Sequence, residues 1–400
     1  VGSGKGRDQI EKMSLRGKVA IVGVGESEVG KVTDLGATQM CVKASHQAIA
    51  DAGCSKRDID GVITANSWSE PHYYHAEWIA EYLGVRPRFC LTVATGGGTI
   101  IAAMHTAASA IATGLCQTVL LAAADNWLSA FSRARMVELM AANAGHPQFE
   151  VPYGSFVPAL YALFAQAHQH RYGTRSESFA RVAVTARKHA ALNAGAQMRE
   201  PISVEDVMNS KLVAAPLRLL DCALISDGGA AIILTSAERA RDLKANPVYL
   251  LGVGEAHQHE HVSQAVNLTE TAATESGAQA LAMARLAPAE IDCAMLYDPF
   301  SFAVVMFLED LGFCARGEGG AFVEAGEIEL GGRLPVNTHG GLLSYAHPGN
   351  PGALLHIVEA VRQLRGACGA RQVSNARNAL VHAEGGIMST HGTAILANAA

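Results

Sequence analysis

The chain repeats itself, and an internal repeat constrains a fold more than any single motif does. The segment AIADAGCSKRDIDGVITANSW (48–68) reads as a helix end, a capped turn, Ile-Asp and an apolar strand, and ALAMARLAPAEIDCAMLYDPF (280–300) reads the same way. Ile59 and Ile291 match, an offset of 291 − 59 = 232 residues. Further along, TGGGTIIAAMHTAASAIATGLCQTVLLAAAD (95–125) runs from a glycine turn through a long helix to a buried strand. The stretch from PGNPGALLHIVEAVRQLRG (348–366) to NALVHAEGG (378–386) does the same. Each half closes on a strand beside a Gly-Gly pair, DGGAAIILTS at 227 and GGIMSTHGTAIL at 385.

Strands alternating with amphipathic helices predict an α/β protein whose sheet is covered on both faces. VAIVGVG (19–25) is a continuous apolar run without polar alternation, so it is expected to be buried on both sides. The Ala- and Gly-rich central helices permit close backbone approach, as in a layered α-β-α-β-α sandwich. An insertion over about 126–217 carries its own helices, at 161–173 and 178–193, and a Pro-started, Ser-x-x-Asp-capped one at 201–210. The expected organisation is a tail (1–16), a first half (17–250) containing the insertion, and a second half (251–400).

Hydrophobic residues make up 49% of the 400 and charged residues 17%, which suits a large buried core and excludes a disordered chain. A net charge of −6 without a basic run argues against nucleic acid or an anionic membrane as partner. The eight cysteines stand singly, the expectation for a reduced, cytoplasmic protein with no zinc site of its own. The most apolar region, about 100–124, is interrupted by His105, Thr113, Gly114 and Gln117 and is not read as a membrane span. The leading VGSGKGRDQIEK lacks an apolar signal core and is read as a tail before Met13. No P-loop or dinucleotide fingerprint is present, since GVGESEVG (23–30) lacks the spacing.

The stretch CLTVATGGGTIIAAMHTAASAIATG (90–114) places a helix N-terminus at Gly97 to Thr99, where backbone N–H groups and the helix dipole favour a thiolate or an oxyanion. Val93 enters this turn, and it has no nucleophilic atom. Three further stretches complete a pattern: PLRLLDCALISDGGAAIILTS (216–236), YDPFS (297–301) and NTHGGLLSYAHPGNPG (337–352). Together they resemble the thiolase superfamily, in its sterol-carrier-protein-x branch, over nearly all of the chain after the tail.

The resemblance implies the duplicated five-layer thiolase fold with a helical loop domain. It also marks departures. The nucleophilic cysteine of a Cys-x-x-Gly turn is replaced at Val93, and Cys90, three extended residues or about 10 Å upstream, is read as a buried core cysteine. The C-terminal Cys-x-Gly-Gly segment reads VHAEGG (381–386), again without the thiol. Without either sulfur, an oxyanion hole still stabilises a thioester enolate, which is what a retro-aldol cleavage of a β-hydroxyacyl-CoA requires together with a base. The chain is similar to the thiolase-like aldolases of bacterial steroid side-chain degradation, which release propionyl-CoA and a 17-ketosteroid from a 17-hydroxy-20-carboxyl-CoA side chain.

That likeness implies catalytic roles for Tyr345 and Tyr297, one taking the hydroxyl proton and the other bonding the developing carbonyl or enolate. His347 of the His-Pro pair is the implied oxyanion donor and proton shuttle. Gly97, Gly98, His382, Gly385 and Gly386 are candidates for further oxyanion or substrate contacts, with His339 beside them and Asp298 as an orienting group. Arg133, Arg135 and Arg187 on the insertion are candidates for the CoA phosphates. No covalent cofactor and no metal are expected in the chain; coenzyme A enters as the substrate thioester. The implied partner is a small zinc-ribbon and OB-fold acyl-CoA-binding protein that carries the zinc, around a sheet-edge homodimer, giving a heterotetramer. Two alternatives stay open: an acyl-CoA acyltransferase using a displaced Cys90, and a non-catalytic subunit with a vestigial pocket.

Overall fold

The computed structural model describes residues 14–243 and 246–400, so most of the expected tail lies outside the described residues. The first half contains β1 (Val19–Glu26), α1 (Ala37–Ala52), β2 (Gly61–Ala65), α2 (His75–Leu83), β3 (Phe89–Val93), α3 (Thr99–Ala112) and β4 (Thr118–Asn126). The insertion follows, with α4 (Arg133–Ala144), α5 (Val157–Tyr172), α6 (Ser176–Ala191), α7 (Val204–Asn209), β5 (Leu212–Ala214) and β6 (Leu217–Arg218). The half closes with β7 (Asp227–Ser236). The second half supplies β8 (Val248–His257), α8 (Ala273–Ala284), β9 (Cys293–Leu296), α9 (Ser301–Asp310), α10 (Gly341–Ser344), α11 (Gly352–Leu364), β10 (Asn378–Gly385) and β11 (Thr390–Ala397).

Nine strands hydrogen-bond in the order β3-β2-β4-β7-β1-β8-β11-β10-β9, which mirrors itself about the β1–β8 junction except that the edge strand β3 has no counterpart in the second half. In each half the strand that opens it pairs antiparallel with the strand that closes it, β1 with β7 and β8 with β11. The halves join through a short contact, Ala20 with Tyr249 and Ile21 with Val248. The sheet bends over there, because α3 touches β2, β4 and β7 of one half and β8, β10 and β11 of the other, while α11 also packs on both. The central layer buries Ile100, Met104, Leu354 and Ile357 together with inward side chains of both half-sheets. Outer layers form on α1 and α2 in one half and on α8, α9 and the insertion in the other. The five-layer expectation is thus met by one continuous sheet folded on itself.

The repeat is sharper in three dimensions than in sequence. Gly23 and Gly25 of β1 lie where an added Cβ would sit 2.1 Å from the Ala48 carbonyl and 2.2 Å from the Ala44 carbonyl of α1. Gly252 and Gly254 of β8 meet α8 in the same way, at 2.0 Å from Ala280 and 2.2 Å from Ser276. The glycines let each helix lie directly on its strand; a methyl group there overpacks against backbone, at a cost of about 1–3 kcal/mol. Glu26 and Glu255 follow these pairs, so Gly-Val-Gly-Glu occurs twice. Each glutamate reaches the other half's central helix: Glu26 Oε2 lies 2.5 Å from Arg362 on α11, and Glu255 Oε1 lies 2.5 Å from His105 on α3.

The insertion helices form where the periodicity predicts them. At α7, Ser203 caps as expected, with Asp206 N donating to its Oγ at 3.1 Å and its own N–H donating to Asp206 at 2.7 Å. Tyr161 of α5 ties the insertion to the core by donating to Glu384 at the end of β10.

Candidate active site

The glycine turn between β3 and α3 is held from within by Thr99. Its Oγ1 donates to the Gly96 carbonyl at 2.6 Å and accepts from Thr95 N at 2.8 Å. Gly96 has φ +61°, in the left-handed region that favours glycine. Two other elements press on this turn. A Cβ on Gly385 would stand 2.0 Å from the Thr95 carbonyl, and one on Gly97 would stand 2.7 Å from Tyr297 Cζ and 2.8 Å from its Oη. Only glycine allows the turn, the end of β10 and the Tyr297 ring to meet so closely.

Val93 enters this turn from the strand that precedes it. It is the last residue of β3, in register with Ala65. Both Val93 and Thr95 stand three residues before a glycine, and Thr95 is the one that the strand end leaves in the turn. Its Oγ1 is buried without a hydrogen-bond partner. The turn lacks a thiol in either frame. Cys90 departs from expectation: it is half-buried rather than a core residue, and it packs on the outer layer with α2, away from the central layer. Burial, reinforced by Glu77, pushes its thiol up to about 12.

Tyr297 follows β9, and its N–H donates to the His382 carbonyl at 2.9 Å. Asn337 brackets the preceding Leu296, accepting from its N–H and donating to its carbonyl, both at 2.8 Å. The Tyr297 hydroxyl lies 3.2 Å from His347 Nε2 and 3.3 Å from the Gly349 carbonyl. His347 is fixed by Ser226 Oγ at its N–H, 2.9 Å, and by the Leu224 carbonyl at Nδ1, 3.2 Å. A carbonyl only accepts, so Nδ1 carries the proton and Nε2 offers its lone pair to the tyrosine. Burial lowers the imidazole to about 4 and raises the Tyr297 phenol, with Glu384 and Asp298 adding to the latter. The resting pair is therefore a neutral histidine beside a neutral tyrosine whose one proton serves two acceptors, His347 Nε2 and the Gly349 carbonyl, not a histidine presenting a proton to an oxyanion.

Tyr345 points elsewhere. Its hydroxyl donates to Glu26 Oε1 at 3.1 Å, and Glu26 holds Arg362. Burial, then Glu26, raises its phenol well above the ordinary value. Two buried histidines lie between the tyrosines: the His339 ring is 5.1 Å from Tyr345, His339 Nε2 is 3.1 Å from His356 Nδ1, and the His356 ring is 6.1 Å from Tyr297. Asp298 orients the loop as expected, its carboxyl accepting from Leu342 N at 2.7 Å and Leu343 N at 3.3 Å. Burial pushes this carboxyl up to about 8.

Two candidates leave the site. His382 faces the outer layer, with Nδ1 2.9 Å from Thr393 Oγ1, Nε2 3.2 Å from His391 and its ring against Phe307; only its carbonyl touches Tyr297. Arg187 is buried beneath the loop, donating to Ser344 Oγ and to the Glu200 carbonyl, each at 3.0 Å, so it is a brace and not a phosphate ligand. On α4, Arg135 pairs with Glu138 at 2.8 Å and Arg133 is exposed. Gly97, Gly98, Gly385 and Gly386 all lie at the turn. Sequence reasoning missed Glu26 and Glu384; the doubled Gly-Val-Gly-Glu was the available signal for the first, and none pointed to the second.

A duplicated sheet wrapped on two central helices, with a glycine turn, a Tyr-Asp-Pro-Phe strand end and a Gly-His-Pro loop converging, defines a thiolase fold. A family model described as "Thiolase C-terminal domain-like" matches residues 254–398. The chain belongs to the thiolase-like family, in its sterol-carrier-protein-type branch. It is 38% identical to a steroid side-chain-cleaving aldolase of Thermomonospora curvata, over 93% of this chain and 96% of that one. It is 35% identical to an acetyl-CoA acetyltransferase of Methanothermobacter thermautotrophicus, over 94% and 97%. It is 37% identical to the 17-hydroxy-3-oxo-4-pregnene-20-carboxyl-CoA lyase of Mycobacterium tuberculosis, over 93% and 98%. Among solved structures, the Ltp2-ChsH2(DUF35) aldolase superposes with a TM-score of 0.85 at 36% identity, covering 96% of this chain and 99% of that one.

Proposed function

We propose that the chain is a retro-aldolase that cleaves the 17-hydroxy-20-carboxyl-CoA side chain of a steroid to propionyl-CoA and a 17-ketosteroid, with no acyl-enzyme. The observation that carries this reading is the turn at the start of α3, which faces a Tyr297–His347 pair and offers no sulfur. All eight thiols, moreover, are shifted up, burial being the first cause in each. A thiolate nucleophile needs the opposite shift. The names of the two lyase and aldolase relatives point the same way.

Tyr297 abuts the turn, so it takes the thioester side: its hydroxyl turns its one proton from His347 Nε2 to the enolate oxygen as charge develops and then supplies that proton to carbon. Tyr345 takes the hydroxyl side. Arg133 remains the cation proposed for the CoA phosphates. A small zinc-ribbon and OB-fold partner is proposed from the likeness to the Ltp2-ChsH2(DUF35) aldolase, the zinc belonging to that partner. The outer edge of β3 ends the sheet and suits a homodimer within a heterotetramer. A cytoplasmic setting agrees with eight free cysteines, and among the described residues no helix is long and apolar enough to cross a membrane.

The test is to supply the substrate thioester, with the partner, and no free CoA. Release of propionyl-CoA is the expected result; a requirement for free CoA overturns the proposal, because thiolysis consumes it. The name of the Methanothermobacter relative favours acyl transfer as a second reading. That reading needs a reactive thiol, and iodoacetamide inactivation confined to Cys90 is the result that supports it.

A further inference from the structure

We propose that Glu26 is the terminal acceptor of the substrate's hydroxyl proton, acting through Tyr345 as a positioning and proton-accepting residue for the retro-aldol step. This rests on the reading of Tyr345 as the hydroxyl-side group. A phenol is a poor base in water, and a buried one is poorer still. Here, however, the Tyr345 proton is already committed to the Glu26 carboxylate at 3.1 Å. Its oxygen lone pairs are thus the part left to face a substrate hydroxyl.

The duplication supplies an internal comparison. Glu26 and Glu255 hold equivalent places after paired glycines, and the backbone N–H of each donates to a glutamine side-chain oxygen on its neighbouring helix, Gln47 at 3.3 Å and Gln279 at 3.2 Å. Each also pairs with one side chain of the opposite central helix, Glu26 with Arg362 and Glu255 with His105. That pair is what the architecture needs from the motif. Glu26 alone of the two carries a tyrosine as well, and that tyrosine lies two residues before His347. Its side chain is 12% exposed, enough to pass a proton to water.

The step balances as follows. The substrate hydroxyl proton moves to Tyr345 Oη as the Tyr345 proton moves to Glu26 Oε1. The electron pair left on oxygen becomes the ketone π bond, and the carbon–carbon pair passes to the thioester enolate. The enolate takes a proton at carbon from Tyr297. Glu26 then releases its proton to solvent while the Tyr297–His347 pair regains one, so turnover closes without net proton change. The charged and titratable groups facing Glu26 are Arg362 and Tyr345, with Glu359 and Arg371 beyond them on the α11 side.

The experiment compares Glu26→Gln, Tyr345→Phe and Glu255→Gln by propionyl-CoA release from the 17-hydroxy steroid thioester across pH, with the partner present. Glu26→Gln is expected to lower kcat by ~100-fold with KM held, within the range of general-base contributions, and to abolish the acid limb of kcat/KM. Glu26→Asp, which keeps the carboxylate, restores part of the rate and the limb, and Glu255→Gln stays within about twofold of the parent. Because Gln beside Arg362 risks unfolding, Glu26→Gln/Arg362→Met removes both charges together and is expected to show the same lost limb. An unchanged pH profile in Glu26→Gln or in the double variant, with Tyr345→Phe inactive, overturns this inference and leaves the retro-aldolase reading standing. Full activity in Tyr345→Phe overturns the reading of that tyrosine itself.

Discussion

Gly385→Ala isolates the close approach on which the site is built. The new Cβ would lie 2.0 Å from the Thr95 carbonyl and 3.0 Å from the amides of Gly97 and Gly98. All three are backbone atoms, and no side chain can rotate away. Ordinary contact starts at 3.4 Å, so the turn must retreat by 3.4 − 2.0 = 1.4 Å. Gly385 lies outside the positive-φ region, so the perturbation is steric alone. Overpacking of this kind costs about 1–3 kcal/mol. At roughly 2.1 cal/mol/K per residue, a chain of this length loses about 1 °C of Tm per kcal/mol, so melting falls by about 1–4 °C. Misplacing a reacting group by ~1 Å costs ~100-fold in rate. Circular dichroism melts and propionyl-CoA release measure the two effects. Gly173→Ala, at the C-terminal end of α5, is the control: its φ of +71° strains the new side chain but nothing lies within 4 Å of it, so it is expected to lose stability but little activity. Full activity in Gly385→Ala would refute the claim that the turn and Tyr297 act as one unit.

Tyr297→Phe removes the partner of His347 Nε2 and is expected to lower kcat by ~100-fold with substrate affinity nearly unchanged, measured by steady-state kinetics and calorimetric titration of propionyl-CoA. Arg187→Met breaks two buried bonds of the brace and is expected to cost about 2–4 kcal/mol in denaturant unfolding while leaving CoA affinity in place, the reverse of what a phosphate ligand would give. Asp298→Asn tests linkage. Its folded carboxyl is raised from 3.8 to about 8, so the folded state holds a proton that the unfolded chain releases between these values. Stability from this group is therefore greatest below pH 3.8 and is lost as pH rises towards 8, by up to about 1.4 kcal/mol per unit. The melting difference between Asp298→Asn and the parent is expected to move in the variant's favour from pH 5 to pH 8, and a constant difference would refute the assignment.

The layout was legible because period and duplication are local properties of a string. The turn before α3 and the Ser203 cap followed from local residue patterns, and the convergence of Tyr297 with His347 from the family resemblance that the motifs carry. What escaped depends on register and distant packing. Cys90 faces α2 because of its place in the β3 pleat, which no count of residues to the next glycine reveals. Arg187 looks like any helix-face cation until its partners, Ser344 and Glu200, are seen to bury it. Glu26 and Tyr345 are 319 residues apart, and neither flanking sequence names the other. The N-terminus of α1 is likewise capped from afar, by Glu70 accepting from Ala37 N and Thr38 N, each at 2.9 Å.

The crossed glutamates also bear on how such a molecule can be divided. Each central helix is clasped by an acid belonging to the opposite repeat, so neither repeat is electrostatically complete alone. Severed fragments would each carry a stranded carboxylate and a bare apolar helix, and would regain order only by finding one another.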